Sequence, residues 1–290
     1  MSEWEGRRVL VVGNQGLVGK ELVELLKEKK AWVCGFDIKN IKDENVLNPE
    51  DIHHYFDLFG PFDDVFSCFG VKGSVRMTKN KPVDFMYPML VGDANIIKAC
   101  QDHKVKRMLY TSSIALLNFN TDEYPATAKA TAEKLIEAMR IQYPHGTKYS
   151  IVRPSSIYGK YENFDREGLM VMSDLIKQAL NSQDGTLKLW DNGEGVRDFI
   201  NAKDVAEAMI LVMEKMPKDW VAIGGEAYTI KHTAEIICRE LNLKLILGNN
   251  DGSKDIRTIF TPHLTEWGWR PTISLENGIK ETIQWKKKQQ

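Results

Sequence analysis

The sequence has 290 residues, with 39 Lys and Arg against 40 Asp and Glu and a formal net charge of −1. Hydrophobic residues make up 43% and charged residues 27%, the balance of a globular chain able to bury a large core in one domain or two closely joined ones. This excludes a basic field for nucleic acid or an anionic membrane surface, and no run approaches the roughly 18 apolar residues of a membrane helix.

Arg8-Val9-Leu10-Val11-Val12 is a short apolar run ending at a glycine, which reads as a buried parallel strand. The residues before it show no signal-peptide pattern, so a cytoplasmic location is expected. Leu17 to Lys30 has helical spacing, with Leu17, Val18, Leu22, Leu25 and Leu26 on one side. Between strand and helix lies Gly13-Asn14-Gln15-Gly16-Leu17-Val18-Gly19. A turn of this kind uses glycine for its backbone angles, for close approach to a pyrophosphate and for helix-on-strand packing. The exposed N–H groups and the helix dipole then favour an anion. Ala31 to Asp37 reads as the second strand, and Asp37 stands 18 residues after Gly19. A carboxylate there accepts hydrogen bonds from the adenosine ribose and repels a 2′-phosphate, so the expected cofactor is NAD.

Asn48-Pro49 opens a helix, with Asn48 as its cap and Pro49 in its first turn. Asp64 to Phe69 is a strand, Asp84 to His103 a long helix, Arg107 to Ser112 a strand, Ala128 to Tyr143 a helix and Tyr149 to Arg153 a strand. Such alternation predicts βαβ units and a doubly wound parallel sheet, an α/β Rossmann architecture. After Pro154 the loops lengthen, and only Asp204–Lys215 and Thr233–Leu241 read as helices. The expected division is a dinucleotide-binding domain over 1–153 and a smaller α/β substrate-binding region over 154–290, some of whose segments return to the first domain. Cys34, Cys68, Cys100 and Cys238 are scattered and read as reduced core thiols. The six histidines have no metal-ligand spacing, and no metal is expected.

With the glycine loop and Asp37 in place, further segments resemble the extended short-chain dehydrogenase/reductase family, the nucleotide-sugar epimerases and dehydratases. Val105-Lys-Arg-Met-Leu-Tyr-Thr-Ser-Ser113 looks like the family's strand with its catalytic serine, and Lys129-Ala-Thr-Ala-Glu133 like its catalytic lysine. Arg153-Pro-Ser-Ser-Ile-Tyr-Gly159 looks like the turn that passes the nicotinamide. Gly193-Glu-Gly-Val-Arg197 resembles the segment whose arginine meets the substrate diphosphate, and Trp269-Arg-Pro-Thr-Ile-Ser-Leu-Glu-Asn-Gly278-Ile the C-terminal signature. Tyr161-Glu-Asn-Phe-Asp165 and Asp84-Phe-Met-Tyr-Pro are nearest the GDP-fucose synthase and GDP-heptose branch.

The resemblance implies catalytic Ser113, Tyr124 and Lys129. It implies a cofactor site formed by residues 13–19, Asp37, Ser112, Lys129, Pro154 and Ile157, and a substrate site with Arg197, Tyr158 and Asn163. It also implies homodimers paired through the helices at Asp84–His103 and Ala128–Tyr143. In the family the tyrosine stands four residues before the lysine. Here Tyr124 stands five before Lys129, with Pro125 between, a rotation of about 140° on a regular helix. Either Tyr124 lies just before the helix and swings inward, or the site lacks its usual acid/base. Ile114-Ala115 replaces the acidic pair of dehydratases, and Ala115 and Met170 stand where GDP-fucose synthases keep an epimerising cysteine and histidine. Hydride transfer alone remains: 4-dehydrogenation or 4-epimerisation of a nucleotide sugar, weakly favouring a GDP-sugar or GDP-heptose of surface-polysaccharide synthesis. The alternatives are 4-keto-sugar reduction and, from another class, a non-catalytic NAD-binding regulator.

Overall fold

The computed structural model describes residues 3–40, 45–118, 123–249, 256–259 and 261–289. Strands and helices alternate as β1 (Arg8–Val12), α1 (Leu17–Glu28), β2 (Trp32–Phe36), α2 (Pro49–Phe59), β3 (Asp64–Ser67), α3 (Val75–Asn80), α4 (Pro82–Asp102), β4 (Arg107–Thr111), α5 (Tyr124–Gln142) and β5 (Lys148–Pro154). A 3-10 turn over Ile114–Asn118 separates β4 from α5. There follow β6 (Ser156–Tyr158), α6 (Val171–Leu180), β7 (Thr186–Lys188), β8 (Val196–Asn201), α7 (Ala202–Lys215), β9 (Val221–Ile223), β10 (Glu226–Thr229), α8 (Ile230–Leu241), β11 (Lys244–Ile246), β12 (Ile256–Arg257), α9 (Pro262–Glu266) and α10 (Leu275–Lys287).

The main sheet has six strands in the order β2-β1-β3-β4-β5-β9. Every pairing among β1 to β5 is parallel. The order starts at β1 and reverses there, β2 on one side and β3 on the other, the crossover pattern of a Rossmann sheet. Asn48 caps α2 by accepting from Glu50 N at 3.2 Å. Two helices start earlier than their apolar spacing predicts: α4 at Pro82 rather than Asp84, and α5 at Tyr124 rather than Ala128. In both, proline occupies the first turn, where a missing N–H costs no helical bond.

The chain forms two compact units, Met1–Pro154 with Ala206–Val221, and Ser155–Val205 with Ala222–Gln290. In the first, Leu10, Val12, Val65, Met108 and Tyr110 of the sheet pack with Ile96, Ile97 and Ile136 of the helices. Buried Asp64 is clamped by Arg7 at 2.5 Å and Arg107 at 2.6 Å. Arg153 reaches Glu133 of α5 at 2.6 Å and lies over Trp220, fastening α5 to the end of β5. The second unit carries a sheet in the order β10-β8-β12, with β6 parallel to β8. Its core includes Tyr158, Phe164, Leu175, Phe199, Ile237 and Ile279. No described helix is long and apolar enough to cross a membrane.

Candidate active site

The carboxyl end of β1 turns sharply into α1. Gly13 has φ +81°, and a side chain there would meet the Cys68 carbonyl oxygen at 2.9 Å, so only glycine suits both the angle and the packing. At Gly19 an added Cβ would overlap the Gly13 carbonyl oxygen and approach Asn14 Cα to 2.9 Å. The loop is thus packed backbone to backbone. Gly16 caps α1 with no side-chain hydrogen bond, which leaves first-turn N–H groups for an anion. Leu17 and Val18 turn into the core.

Asp37 follows β2 directly. Its Oδ2 accepts from the loop amide of Gln15 at 3.1 Å and its Oδ1 from Lys39 N at 3.0 Å. Asn40 donates to Asn14 Oδ1 at 3.0 Å and accepts from Gln15 Nε2 at 2.7 Å. The carboxylate therefore stands against the glycine loop and is oriented by it. A loop with uncapped helix amides and an adjacent carboxylate fits a dinucleotide: amides toward pyrophosphate, carboxylate toward ribose.

At the carboxyl ends of β3 and β4, buried Ser67 Oγ and Ser112 Oγ have no hydrogen-bond partner among the described residues. Buried hydroxyls of this kind normally find one, and a bound ligand is one source. Ser113 Oγ accepts from Ala115 N at 3.1 Å, tying it to the 3-10 turn. Tyr124 is the first residue of α5 and is 41% exposed, so it opens the helix rather than lying just before it, as one of the two readings had it. The connection between Ser113 and Tyr124 includes 119–122, which lie outside the described residues. Lys129 points into the interior, 3.2 Å from Asp93 Oδ2 and 3.3 Å from the Phe69 carbonyl oxygen.

Asp93 and its second partner Tyr110, whose hydroxyl donates to the same oxygen at 2.6 Å, were not singled out by sequence. The available signal was an aspartate inside the apolar stripe Met89-Asp93-Ile97-Cys100 of α4, all buried. A charge at helical core spacing demands a partner, but its identity requires the fold.

Among candidates of the second unit, Tyr158 is 2% exposed and edge-on to Phe199, so its surroundings are those of a core residue. Ile157 pairs with Ile200 across β6 and β8, and Pro154 ends β5 of the first unit. Asn163 is exposed, its Oδ1 accepting from Asp165 N at 3.2 Å. Arg197 Nη1 donates to the Val196 carbonyl at 2.8 Å. Asp198 is engaged by Ser155, Gly225 and Ile259. Trp190 is 75% exposed. Cys100 and Cys238 are buried, and among the described residues none of the four cysteines is in a disulfide. Among the described residues no group of three or more His, Cys, Asp or Glu is placed to hold a metal ion.

Comparison with known proteins agrees with this architecture. GDP-L-fucose synthase of Sinorhizobium fredii is 26% identical over 306 aligned positions, spanning 97% of this chain and 95% of its own. A UDP-glucose 4-epimerase of Thermus thermophilus in complex with NAD superposes with a TM-score of 0.81 at 21% identity, covering 96% of this chain and 98% of that one. A GDP-mannoheptose C4 reductase of Campylobacter jejuni with NADP bound gives a TM-score of 0.82 at 20% identity, covering 97% and 98%. The model of the NAD-dependent epimerase/dehydratase family matches residues 9–224, which include the glycine loop, Asp37, Ser113 and Lys129. This chain belongs to that family, the extended branch of the short-chain dehydrogenases/reductases, whose members depend on NAD(P).

Proposed function

We propose that the protein is an NAD-dependent oxidoreductase that transfers hydride at C4 of a nucleotide-diphosphate sugar, as a 4-dehydrogenase or 4-epimerase. The observation that carries this reading is Asp37 hydrogen-bonded to the loop amide of Gln15. A carboxylate held there accepts from both adenosine ribose hydroxyls and repels a 2′-phosphate, which supports NAD over NADP. Residues 13–19 would hold the pyrophosphate, with Ser112, Lys129, Pro154 and Ile157 toward the nicotinamide end. When bound, the dinucleotide supplies the hydride acceptor or donor.

The remaining work falls to side chains. Ser113 would donate its hydroxyl proton in a hydrogen bond to the reacting sugar oxygen. Tyr124 would hold the proton that leaves or returns, its phenolate favoured by the Lys129 charge. As the first residue of α5, Tyr124 has no N–H bonded within the helix, so its backbone can turn at small cost. Arg197 would meet the diphosphate with its fork of donors, and Asn163 completes the proposed substrate set, whereas Tyr158 belongs to the core. The GDP-L-fucose synthase relative supports a GDP-linked sugar, in keeping with surface-polysaccharide synthesis. We also propose a cytoplasmic homodimer formed through α4 and α5.

One observation favours a second reading. A structural neighbour with NADP bound is a C4 reductase, which supports 4-keto-sugar reduction as the alternative.

The test uses purified protein with NAD⁺ or NADP⁺ and a panel of GDP- and UDP-sugars. Reduced nicotinamide is followed by absorbance and C4 inversion by NMR. The expected result is turnover with NAD⁺ favoured at least about tenfold, the scale of one discriminating contact of about 1.4 kcal/mol, and a narrowed preference in Asp37→Ala. Consumption of reduced cofactor with a 4-keto sugar nucleotide, and no oxidation, replaces this reading with the reductase. Dinucleotide binding with no turnover on any sugar nucleotide replaces it with the binding protein.

A further inference from the structure

Lys129 projects into the first unit with its side chain 9% exposed. Three groups surround its ammonium: Asp93 Oδ2 at 3.2 Å, the Phe69 carbonyl oxygen at 3.3 Å and the ring of Tyr110, 4.7 Å to the centroid. Asp93 is 1% exposed on α4. Its Oδ2 also accepts the Tyr110 hydroxyl at 2.6 Å, and its Oδ1 is buried with no hydrogen-bond partner among the described residues.

Such an aspartate does not serve packing. Its neighbours on the stripe, Met89, Ile97 and Cys100, are apolar and buried, and a buried charge among them carries a cost that only a partner offsets. Burial pushes its carboxyl pKa up, while Lys129 and Tyr110 pull it back. The only cation on it among the described residues is Lys129. Two of the three ammonium N–H bonds point to Asp93 and Phe69. One donor is left over, at a position fixed by the other two.

We propose that Asp93 is a positioning residue, which anchors the Lys129 ammonium so that its remaining N–H meets the nicotinamide-side ribose of the dinucleotide, with the Tyr110 hydroxyl orienting the carboxylate. This rests on the reading above, in which Lys129 holds that ribose. Asp93 touches neither sugar nor dinucleotide and acts through Lys129 alone. Its effect must therefore vanish when Lys129 is absent, and it must not reach the adenosine end of the site.

The experiment is a binding cycle with the full chain, using NADH and ADP as probes. NADH is read by nicotinamide fluorescence and ADP by its competition with NADH. The variants are Asp93→Asn, Lys129→Met, the double variant and Tyr110→Phe. Asp93→Asn and Lys129→Met should each weaken NADH about tenfold, as loss of one charge-assisted hydrogen bond does. The double variant should be no weaker than Lys129→Met, the non-additivity of two residues acting as one. ADP affinity should stay unchanged throughout. Tyr110→Phe, which keeps the charge pair, should weaken NADH two- to fourfold, roughly the effect of one neutral hydrogen bond. If Asp93→Asn does not fold, this variant decides, and wild-type NADH affinity in it overturns the proposal.

Equal losses of NADH and ADP in Asp93→Asn, or additive losses in the double variant, mean a structural aspartate and overturn it. Unchanged NADH binding in Asp93→Asn beside weakened binding in Lys129→Met overturns the positioning role and leaves the reading of Lys129 intact. Unchanged binding in Lys129→Met removes that reading and this proposal with it.

Discussion

A methyl group at position 19 tests the opening loop. The atoms it would strike are the Gly13 carbonyl oxygen and Asn14 Cα, both backbone, so neither can rotate away. Overpacking of this kind costs about 1–3 kcal/mol. Gly19→Ala should therefore lose at least about tenfold in NADH affinity by fluorescence titration and melt a few degrees lower, about what 1 kcal/mol does in a chain this size. Wild-type affinity in this variant would mean that the loop is not the dinucleotide cradle. The same residue shows what sequence can reveal at this scale. The positive φ at Gly13 and the backbone crowding at Gly19 arise within the loop itself, so that spacing is written in the chain, whereas the Cys68 carbonyl that also crowds Gly13 comes from a distant strand end. The need for Asp93 arises from Lys129, 36 residues away, and Asn40, which links Asn14 to Gln15, is visible only once β2 lies beside β1.

At the scale of elements, the contact between α2 and α4 carries a pH dependence. His53 Nδ1 and His103 Nε2 face each other at 2.9 Å, while Asp57 and Asp102 lie near the outer nitrogens at 3.6 and 3.9 Å. Burial, then the neighbouring His53, holds His103 below its ordinary pKa of 6.5, and Asp57 and Asp102 only partly offset this. Protonation is thus harder in the folded protein than in the unfolded chain. The stability tied to neutral His103 is complete above the unfolded pKa and is lost as pH falls from there toward the folded value. The melting temperature should decline between about pH 7 and pH 5 by about 2 °C more in the wild type than in His103→Gln, on a scale of 2–4 °C per kcal/mol. Parallel pH profiles would show that the pair does not sense protons. His53 adjoins His54 in the chain, yet its ring pairs with His103 of a distant segment. The longer elements were legible because a periodic apolar face spans many residues, as in α1 and α4. Strands β6 to β12, of two to six residues, are too short to show a period, and their pairing is set by partners elsewhere in the chain.

For the whole molecule, the proposed homodimer has a candidate contact face on α4. Val83 and Tyr87 stand four residues apart on α4 and are 69% and 59% exposed, and Ile141 near the end of α5 is 75% exposed. Single exposed apolar residues need no explanation, but two at helical spacing form a stripe of the kind helices bury against a partner. α4 and α5 already pack on one another within the first unit, so two copies meeting there would form a four-helix arrangement about a two-fold axis. In such an interface each substitution acts twice. Burying one large apolar side chain contributes about 1.5–3 kcal/mol, so removing it from both copies removes about 3–6 kcal/mol, a weakening of two decades or more. Light scattering at micromolar concentration should give twice the mass of 33.1 kDa for the native chain. Val83→Glu with Tyr87→Glu should give the single mass, with the melting transition and NADH affinity retained, since neither residue belongs to the dinucleotide site. A native chain of single mass at that concentration would remove the dimer. A dimer indifferent to both substitutions would move its interface off this stripe.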